Sequence, residues 1–579
     1  MEKDPSPGVT KGAEESGQPP GKTEQQTKRM PFFFMPEMER DQLGEKPSSG
    51  GLKEKIDLNL KPEEMEAYLE AYVVRQFQAK AVLATKVCTH FNRIRYLEEQ
   101  GLADAPSSVG MIKNNIILIG PTGVGKTYLV KLIAQKLGVP FVKGDATKFS
   151  ETGYVGGDVE DLVRDLVYAA DDDLELAQCG IIYLDEIDKI ASSQSLIGPD
   201  VSRTGVQRTL LKPLEETEVD LKVPHDPISQ IQAIEAYRKT GKREKRVVNT
   251  RHILFIVSGA FNGLEEVIKK RLRKSSIGFG AEGEEKKGDY LAQVSAQDLI
   301  EYGFESEFVG RLPVVVVLDE LSAGDLFEIL LNTNNPVVLS KKRDFAAYGV
   351  ELFFEEEALR LIAIAAAQEK TGARGLVGAM EQVLIPFEKR LPSTTIKRLV
   401  VTPEMVADPQ GELARLEAEP EDPDCLARFQ AAGDSEAGRL KETLTKRAKE
   451  VEKTYGLILD EELLDLVTSA YAASGLDVDR ALAQVSGELE QIQAFAAELE
   501  QEHGLKVVFN EDAACTIVRV ARQAGLTPKT YLEQRAGELV FGLKLIRDRN
   551  EVVEFVLDRQ AVLNTSDYVR DRVSPQPEV

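Results

Sequence analysis

The residues with the clearest chemistry form a glycine-rich loop of the kind that binds phosphate. Glycine lets the backbone curl so that its N–H groups and the N-terminus of the next helix face a polyphosphate. The loop matches the pattern GxxxxGK[ST] and consists of Gly120, Pro121, Thr122, Gly123, Val124, Gly125, Lys126 and Thr127. Lys126 would reach the β- and γ-phosphates, and the Thr127 hydroxyl would bind Mg²⁺. The loop therefore predicts a site for ATP and Mg²⁺.

Two carboxylates complete the predicted site. The apolar run Ile181–Leu184 is followed at once by Asp185 and Glu186. Asp185 suits a Mg²⁺ ligand that acts partly through water, and Glu186 suits the base that orients and deprotonates the attacking water. An Asp-Glu pair after a strand is by itself often a solvated turn. Downstream of a phosphate loop, it predicts a P-loop ATPase.

The elements that must position these residues are short apolar strands that alternate with helices. The strand candidates are Asn115–Ile119, Ile181–Leu184, Ile253–Val257 and Val314–Leu318. Strands that alternate with helical patterns indicate an α/β fold, and wholly apolar strands indicate a parallel sheet with helices on both faces. The phosphate loop joins the first of these strands to a predicted helix over Tyr128–Leu137.

Composition excludes several classes of protein. The chain has 579 residues, 42% of them hydrophobic, and a net charge of −24, which fits several globular domains. No apolar run approaches the ~18 residues of a membrane span, and the N-terminus lacks the apolar segment of a secretory signal. Four cysteines without a CxxC pair indicate neither a local zinc site nor a disulfide framework. The acidic charge argues against nucleic acid as a partner. We therefore expect a cytoplasmic protein that does not bind membranes.

Further motifs, in order along the chain, narrow the family. They occupy Thr152–Glu160, Gly205–Glu216, Ile253–Ile268, Glu307–Ser322 and Lys370–Leu376. With the phosphate loop and GIIYLDEIDKI, they resemble the ClpX family of AAA+ protein unfoldases over roughly residues 60–406. HslU is the closest rival subfamily. The resemblance implies a homo-hexamer that threads unfolded or tagged proteins through its pore.

The resemblance also assigns further residues around the nucleotide. Arg311 matches the arginine finger that reaches the γ-phosphate of the neighbouring subunit, and Arg374 matches the sensor-2 arginine. The alternative for either arginine is an ordinary surface ion pair. Ser258 falls at the sensor-1 position, and Val73 and Val74 fall in a segment that resembles the adenine-contacting segment of the family.

Two loops are implied to contact other proteins. The first matches the pore loop whose aromatic residue grips the translocated polypeptide, and it comprises Gly153, Tyr154, Val155 and Gly156. The alternative for this loop is a surface turn with a buried tyrosine. The second matches the ClpX loop that inserts into clefts on a ClpP-like peptidase ring, and it comprises Ile277, Gly278 and Phe279. HslU docks its protease differently, so this tripeptide favours ClpX.

Departures from the family limit how far its properties can be transferred to this chain. The first cysteine is Cys88, so the N-terminal zinc domain of the family is missing and no zinc is expected. The Arg-Lys-His loop is missing too, and Arg75 stands where the family usually has Gly. A basic cluster lies in the segment Val219–His252, from which that loop is missing, either to attract acidic tags or as a solvated helix end. It comprises Lys239, Lys242, Arg243, Lys245 and Arg246.

The chain also continues beyond the small domain at which ClpX normally ends. We predict a disordered tail over residues 1–55, an AAA+ large ATPase domain over 56–335 and an AAA+ small domain over 336–406. An acidic linker with a helix follows over 407–455, and a helical C-terminal extension over 456–579.

Two segments of the extension resemble one segment of the small domain. Gly504–Ile517 resembles Gly349–Ile362 without a gap, and Gly456–Val467 is a weaker third copy. Two explanations fit this similarity. The extension consists of degenerate repeats of the small domain, or the segments look alike only because each is an amphipathic helix that begins with acidic residues.

The sequence thus predicts an ATP-dependent unfoldase and translocase, the ATPase subunit of a ClpP-type protease. No GxSxG motif is present, so a partner would supply the peptidase. The alternative is a non-proteolytic remodelling chaperone that recruits substrates through the extension. A nucleic-acid motor and a nucleotide-binding scaffold without hydrolysis are weaker alternatives, because of the acidic charge and the filled catalytic positions respectively.

Overall fold

The computed structural model describes a sheet-containing large domain followed by two helical regions. The residues described are 56, 59–100, 113–149, 159–192, 201–221, 246–276, 290–420, 422–474, 477–550 and 554–573. The strands are β1 (Ile116–Ile119), β2 (Phe141–Asp145), β3 (Ile181–Asp185), β4 (Glu218–Asp220), β5 (Val247–Asn249), β6 (Leu254–Gly259), β7 (Val314–Val317), β8 (Glu351–Phe354), β9 (Arg398–Val401), β10 (Lys506–Phe509) and β11 (Glu554–Leu557).

Helices make up most of the rest of the described chain. In the first half they are α1 (Pro62–Tyr72), α2 (Phe77–Glu99), α3 (Lys126–Leu137), α4 (Val159–Ala169), α5 (Leu174–Gln178), α6 (Val201–Leu214), α7 (Leu264–Ser276), α8 (Ala296–Tyr302), α9 (Ser306–Gly310), α10 (Ala323–Leu331) and α11 (Pro336–Ala346). In the second half they are α12 (Glu356–Gln368), α13 (Arg374–Arg390), α14 (Pro403–Ala407), α15 (Pro409–Ala418), α16 (Pro423–Lys446), α17 (Ala448–Tyr455), α18 (Glu461–Ser474), α19 (Val478–His503), α20 (Glu511–Gln523), α21 (Pro528–Asn550), α22 (Arg559–Leu563) and α23 (Thr565–Val573).

A parallel sheet in the order β2-β3-β6-β1-β7 forms the centre of the large domain, which confirms the predicted α/β fold. Alternate residues of β1 enter opposite cores: Ile116 packs with α1, α2 and α3, and Ile117 packs with α4, α6 and α7. The four predicted runs correspond to β1, β3, β6 and β7. The edge strand β2 was not predicted, because Lys143 and Gly144 interrupt its apolar pattern.

We refer to α10 to α15, which surround the parallel pair β8–β9, as the small domain. Leu326 and Leu330 of α10 pack in the same core as α12 and α13, so this core begins before residue 336. It also continues beyond residue 406, because Leu413 and Leu416 of α15 are buried in it.

The described residues of 407–455, for which we predict an acidic linker with a helix, are largely helical. Helix α15 begins with Asp408 as its N-cap and Pro409 at its first position, and α16 begins in the same way with Asp422 and Pro423. Phe429 of α16 packs against the small domain. Because acidic residues dominate this region, its composition did not reveal the helical spacing of its apolar residues.

The C-terminal extension has the same order of elements as the small domain. The gapless alignment places β8 on β10 and α12 on α20, and both helices have 13 residues. Strands β10 and β11 pair in parallel, as β8 and β9 do. By contrast, Gly456–Leu459 of the weaker third copy forms no strand.

Among the described residues, no helix combines the length and the apolar character that crossing a bilayer requires.

Candidate functional site

A cavity of about 460 Å³ lies between the large and small domains, at the carboxyl ends of β1, β3 and β6. Its size is in the range of small-molecule sites. The large domain contributes Tyr72, Val73, Val74, Thr122, Gly123, Val124, Gly125, Lys126, Thr127, Tyr128, Asp185, Glu186, Asp188, Lys189, Gly259, Ala260 and Asn262. The remaining lining residues lie after β7 in the chain and include Leu321, Asn332, Asn335, Pro336, Val337, Ala373, Arg374, Leu376 and Val377. The structure therefore brings most of the predicted nucleotide residues into one cavity.

The phosphate loop follows the fully buried strand β1 and leads directly into α3. Gly125 is the N-cap of α3 and has a φ of 97°, which an L side chain rarely adopts. Thr122 to Thr127 line the cavity, whereas Gly120 and Pro121 do not. The first turn of a twelve-residue helix and its free backbone N–H groups thus face the cavity, as anion binding requires.

Lys126 is held against the loop that precedes it. Its Nζ donates hydrogen bonds to the carbonyl oxygens of Gly120 at 2.6 Å and Pro121 at 2.8 Å. Burial lowers the pKa of Lys126 to about 8, although Asp185 and Asp188 oppose the shift. A buried cation whose solvation is incomplete is well suited to bind a phosphate group.

Asp185 is the centre of a hydrogen-bond network at the end of β3. Burial favours a raised pKa for Asp185, but hydrogen bonds from Lys143 and Ser258 outweigh it and hold this pKa below its usual value. The Ser258 hydroxyl donates to Asp185 at 2.7 Å, and the Lys143 ammonium lies 2.9 Å from the carboxylate. The Tyr183 hydroxyl lies 2.6 Å from Ser258 Oγ and accepts a hydrogen bond from Thr127 at 3.1 Å. The network places the Thr127 hydroxyl and an ionised Asp185 on one wall.

Glu186 follows with a left-handed backbone conformation. Its φ of 58° is uncommon for a residue with a side chain, and its exposed carboxyl group lines the cavity. Strain of this kind often accompanies functional residues. The backbone N–H of Glu186 donates to the Asp185 carboxylate at 3.1 Å, so the two acidic residues are held as a unit.

The phosphate loop also contacts the small domain. The Ala373 N–H donates to the Gly123 carbonyl at 2.9 Å, immediately before Arg374 begins α13. A Cβ atom on Gly123 would lie 2.0 Å from the Thr371 carbonyl oxygen, and the φ of Gly123 is 80°. Only glycine permits this approach, which brings Arg374 to the cavity.

We expect Gly123→Ala to weaken nucleotide binding by at least about 10-fold, because the new methyl group must push the Thr371 loop and Arg374 away. Titration with a fluorescent ADP analogue measures the effect. Gly487→Ala is the matched control, since a Cβ there meets no atom within 4 Å. Unchanged binding by the Gly123 variant would show that the contact does not close the cavity.

The donor set fits ATP with Mg²⁺. Backbone N–H groups, the Lys126 ammonium and the Arg374 guanidinium would hold phosphate oxygens, and hydroxyl and carboxylate oxygens are what Mg²⁺ prefers. Thr127 and Asp185 supply these oxygens on one wall.

Comparison with known proteins agrees with the geometry. The family model described as "AAA domain (Cdc48 subfamily)" matches residues 112–315. A protein of Borrelia duttonii (strain Ly), named "ATP-dependent Clp protease ATP-binding subunit ClpX", is 40% identical over 356 residues, which are 61% of this chain and 79% of that protein. The ClpX protein of Borrelia recurrentis (strain A1) is similar to the same extent. The chain belongs to the ClpX family. The AAA domain and the ClpX relatives support ATP binding and ATPase activity for it.

In this ClpX homologue, the segment Tyr72–Val74, which resembles the adenine-contacting segment of the family, lines the cavity beside α3. Arg75 has a φ of 60°, a conformation that glycine adopts more readily than a residue with a side chain. Ion pairs to Asp325 at 2.8 Å and Asp319 at 3.6 Å offset the strain of an arginine there.

Arg311 does not line the nucleotide cavity. It follows α9 and lines a second cavity of about 330 Å³, where its guanidinium pairs with Glu215. The structure thus separates Arg311 from Lys126 and Glu186 of the same chain.

Several predicted residues of this ClpX homologue lie outside the described residues. They are the loop Gly153 to Gly156, the tripeptide Ile277 to Phe279, and the basic residues Lys239, Lys242, Arg243 and Lys245. Arg246 of the basic cluster is described and is exposed.

Sequence reasoning missed Lys143, Tyr183 and Asp188. Lys143 contacts Asp185 because β2 and β3 are adjacent, and Tyr183 contacts Ser258 because β3 and β6 are adjacent. Asp188 is 6% exposed and lines the cavity. Of these three residues, only Tyr183 gave a signal in the sequence. Its hydroxyl lies within an apolar strand, and a buried tyrosine hydroxyl usually has a hydrogen-bond partner.

Proposed function

We propose that this protein is an ATP-driven protein unfoldase and translocase, the ATPase subunit of a ClpP-type protease. The observation that carries the proposal is the single cavity lined by Lys126, Thr127, Asp185, Glu186 and Arg374. Two walls from different domains enclose this cavity, so nucleotide turnover would change the angle between the domains. The name of the Borrelia relatives supports the transfer to a Clp protease.

Each residue has a distinct role in the proposed hydrolysis. Lys126 and Arg374 bind phosphate oxygens, and Glu186 accepts a proton from the attacking water. Mg²⁺ held by Thr127 and, partly through water, by Asp185 would neutralise phosphate charge. Ser258 and Lys143 keep Asp185 ionised and oriented.

Arg311 is proposed to act on a neighbouring subunit of a homo-hexamer. Its position in the second cavity, away from the nucleotide cavity of its own chain, supports this role. In the single chain the guanidinium pairs with Glu215, and a neighbouring nucleotide would compete for it.

Two proposed contacts rest on the sequence resemblance alone. Tyr154, between Gly153, Val155 and Gly156, would grip unfolded or tagged substrates in the pore. Ile277, Gly278 and Phe279 would dock a ClpP-like peptidase ring, which would supply the protease site. We also propose that the protein is cytoplasmic and has neither a membrane nor a nucleic acid as a partner.

A non-proteolytic remodelling chaperone is the second candidate. The C-terminal extension favours it, because this second helical body is large enough to recruit substrates itself. We also propose that the extension arose as a copy of the small domain, which its parallel strand pair and matched helix lengths support. Lys529, aligned with Arg374, pairs with Glu498 within the extension, which argues against a second ATP site.

Degradation of a tagged, stably folded fluorescent protein separates the two candidates. With ATP and a ClpP-like peptidase from the same organism, we expect fluorescence loss with release of peptides. Phe279→Ala should reduce peptide release by at least about 10-fold, while its ATPase rate stays unchanged. ATPase activity without fluorescence loss in the wild-type protein would favour the specialised chaperone instead.

A further inference from the structure

The C-terminal extension reaches the nucleotide cavity from outside. Asp479 lies in the first turn of α19, beyond the stretch that resembles ClpX, and its carboxylate accepts a hydrogen bond from the Tyr72 hydroxyl. Tyr72 is the last residue of α1 and lines the cavity. Val73 and Val74 follow directly, so the hydroxyl of Tyr72 ties the large-domain wall of the cavity to the extension.

The same end of the extension holds the small-domain wall. The Tyr471 hydroxyl of α18 donates to the Thr333 carbonyl at 3.0 Å, and the Val478 N–H donates to the Asn334 side-chain oxygen at 3.3 Å. Both acceptors are buried in the turn before α11, next to Asn335, which lines the cavity. The extension therefore contacts both walls at one end of the cavity.

A network of charges fixes the position of Asp479. Arg447, whose side chain is 10% exposed, pairs with Asp479 at 2.9 Å and with Glu450 at 3.1 Å. Glu450 in turn pairs with Lys136 at 3.1 Å, in the last turn of α3. Removal of Asp479 would leave the Tyr72 hydroxyl and a largely buried guanidinium without this acceptor.

We propose that the C-terminal extension acts within its own chain as a clamp on the nucleotide cavity, with Asp479 as a positioning residue that holds Tyr72 against it. The inference rests on the nucleotide function proposed above. Asp479 does not line the cavity, and its contact is with the segment Tyr72–Val74 rather than with the phosphate loop or Glu186. Its loss should therefore weaken nucleotide binding without slowing the hydrolytic step.

Steady-state ATPase kinetics and binding of fluorescent ADP, with full-length variants, test the clamp. Asp479→Ala should raise KM and the ADP Kd by about 10-fold, with kcat within about 2-fold of wild type. Tyr72→Phe, which removes only the hydroxyl, should have a similar effect, and the double variant should be no worse than either single variant. Asp479→Asn keeps an acceptor and should recover part of the affinity.

Glu490→Ala is the matched control, because Glu490 is an exposed carboxylate on the same helix. Equal KM and Kd values for the Asp479, Tyr72 and Glu490 variants would overturn the clamp, as would additive effects in the double variant. If Asp479→Ala does not fold, an unchanged Kd for the folded Tyr72→Phe protein overturns it equally. Wild-type protein that binds no ADP would contradict the proposed function itself, which is a distinct outcome.

Discussion

Replacement of Glu186 by glutamine should lower kcat for ATP hydrolysis by about 100-fold or more and leave ATP bound with nearly unchanged affinity. The amide keeps the shape of the carboxylate but cannot accept the proton of the attacking water, and general bases contribute about 10²- to 10⁴-fold. Glu186 is exposed to the cavity, and its backbone N–H rather than its side chain anchors the Asp185 carboxylate. The substitution therefore leaves the binding residues in place.

Phosphate release under saturating ATP and equilibrium binding of a fluorescent ATP analogue measure the two effects separately. Glu175→Gln is the control, since Glu175 is an exposed residue of α5, the helix that precedes β3 in the chain. Sustained hydrolysis by the Glu186 variant would refute its assignment as the base. Loss of ATP binding would instead show that its carboxylate helps to organise the cavity.

Lys126→Ala should weaken ATP and ADP binding by about 100-fold or more. Charge-assisted hydrogen bonds to phosphate contribute about 1.5–3 kcal/mol each, and Lys126 is expected to contact two phosphate groups. The same substitution should not lower Tm. Since burial depresses the folded-state pKa to about 8, below the usual value of 10.5, the charged amine at pH 7 disfavours the folded state.

Fluorescent ADP titration and thermal unfolding at pH 7, both with Lys131→Ala as a control on the same helix, test this pair of effects. Tight binding by the Lys126 variant would contradict the phosphate role. A marked fall in its Tm would show that the hydrogen bonds to Gly120 and Pro121 stabilise the loop more than desolvation of the amine destabilises it.

Those parts of the site that are contiguous in the chain could be predicted from the sequence alone. The phosphate loop is one local structure, in which glycines and the start of α3 place the N–H groups. Asp185 and Glu186 could be placed because a buried parallel strand must end where its apolar run ends. Four of the five strands of the central sheet were predicted for the same reason, whereas β2 was missed because Lys143 and Gly144 interrupt its apolar pattern.

Contacts between residues far apart in the chain are visible only in the folded structure. Lys143 meets Asp185 because β2 pairs with β3, and Gly123 meets Thr371 because the small domain folds over the loop. Asp479 meets Tyr72 across 407 positions of sequence. Periodicity and local motifs report only on neighbours along the chain, so partners of this kind depend on how separate domains pack, which no local pattern encodes.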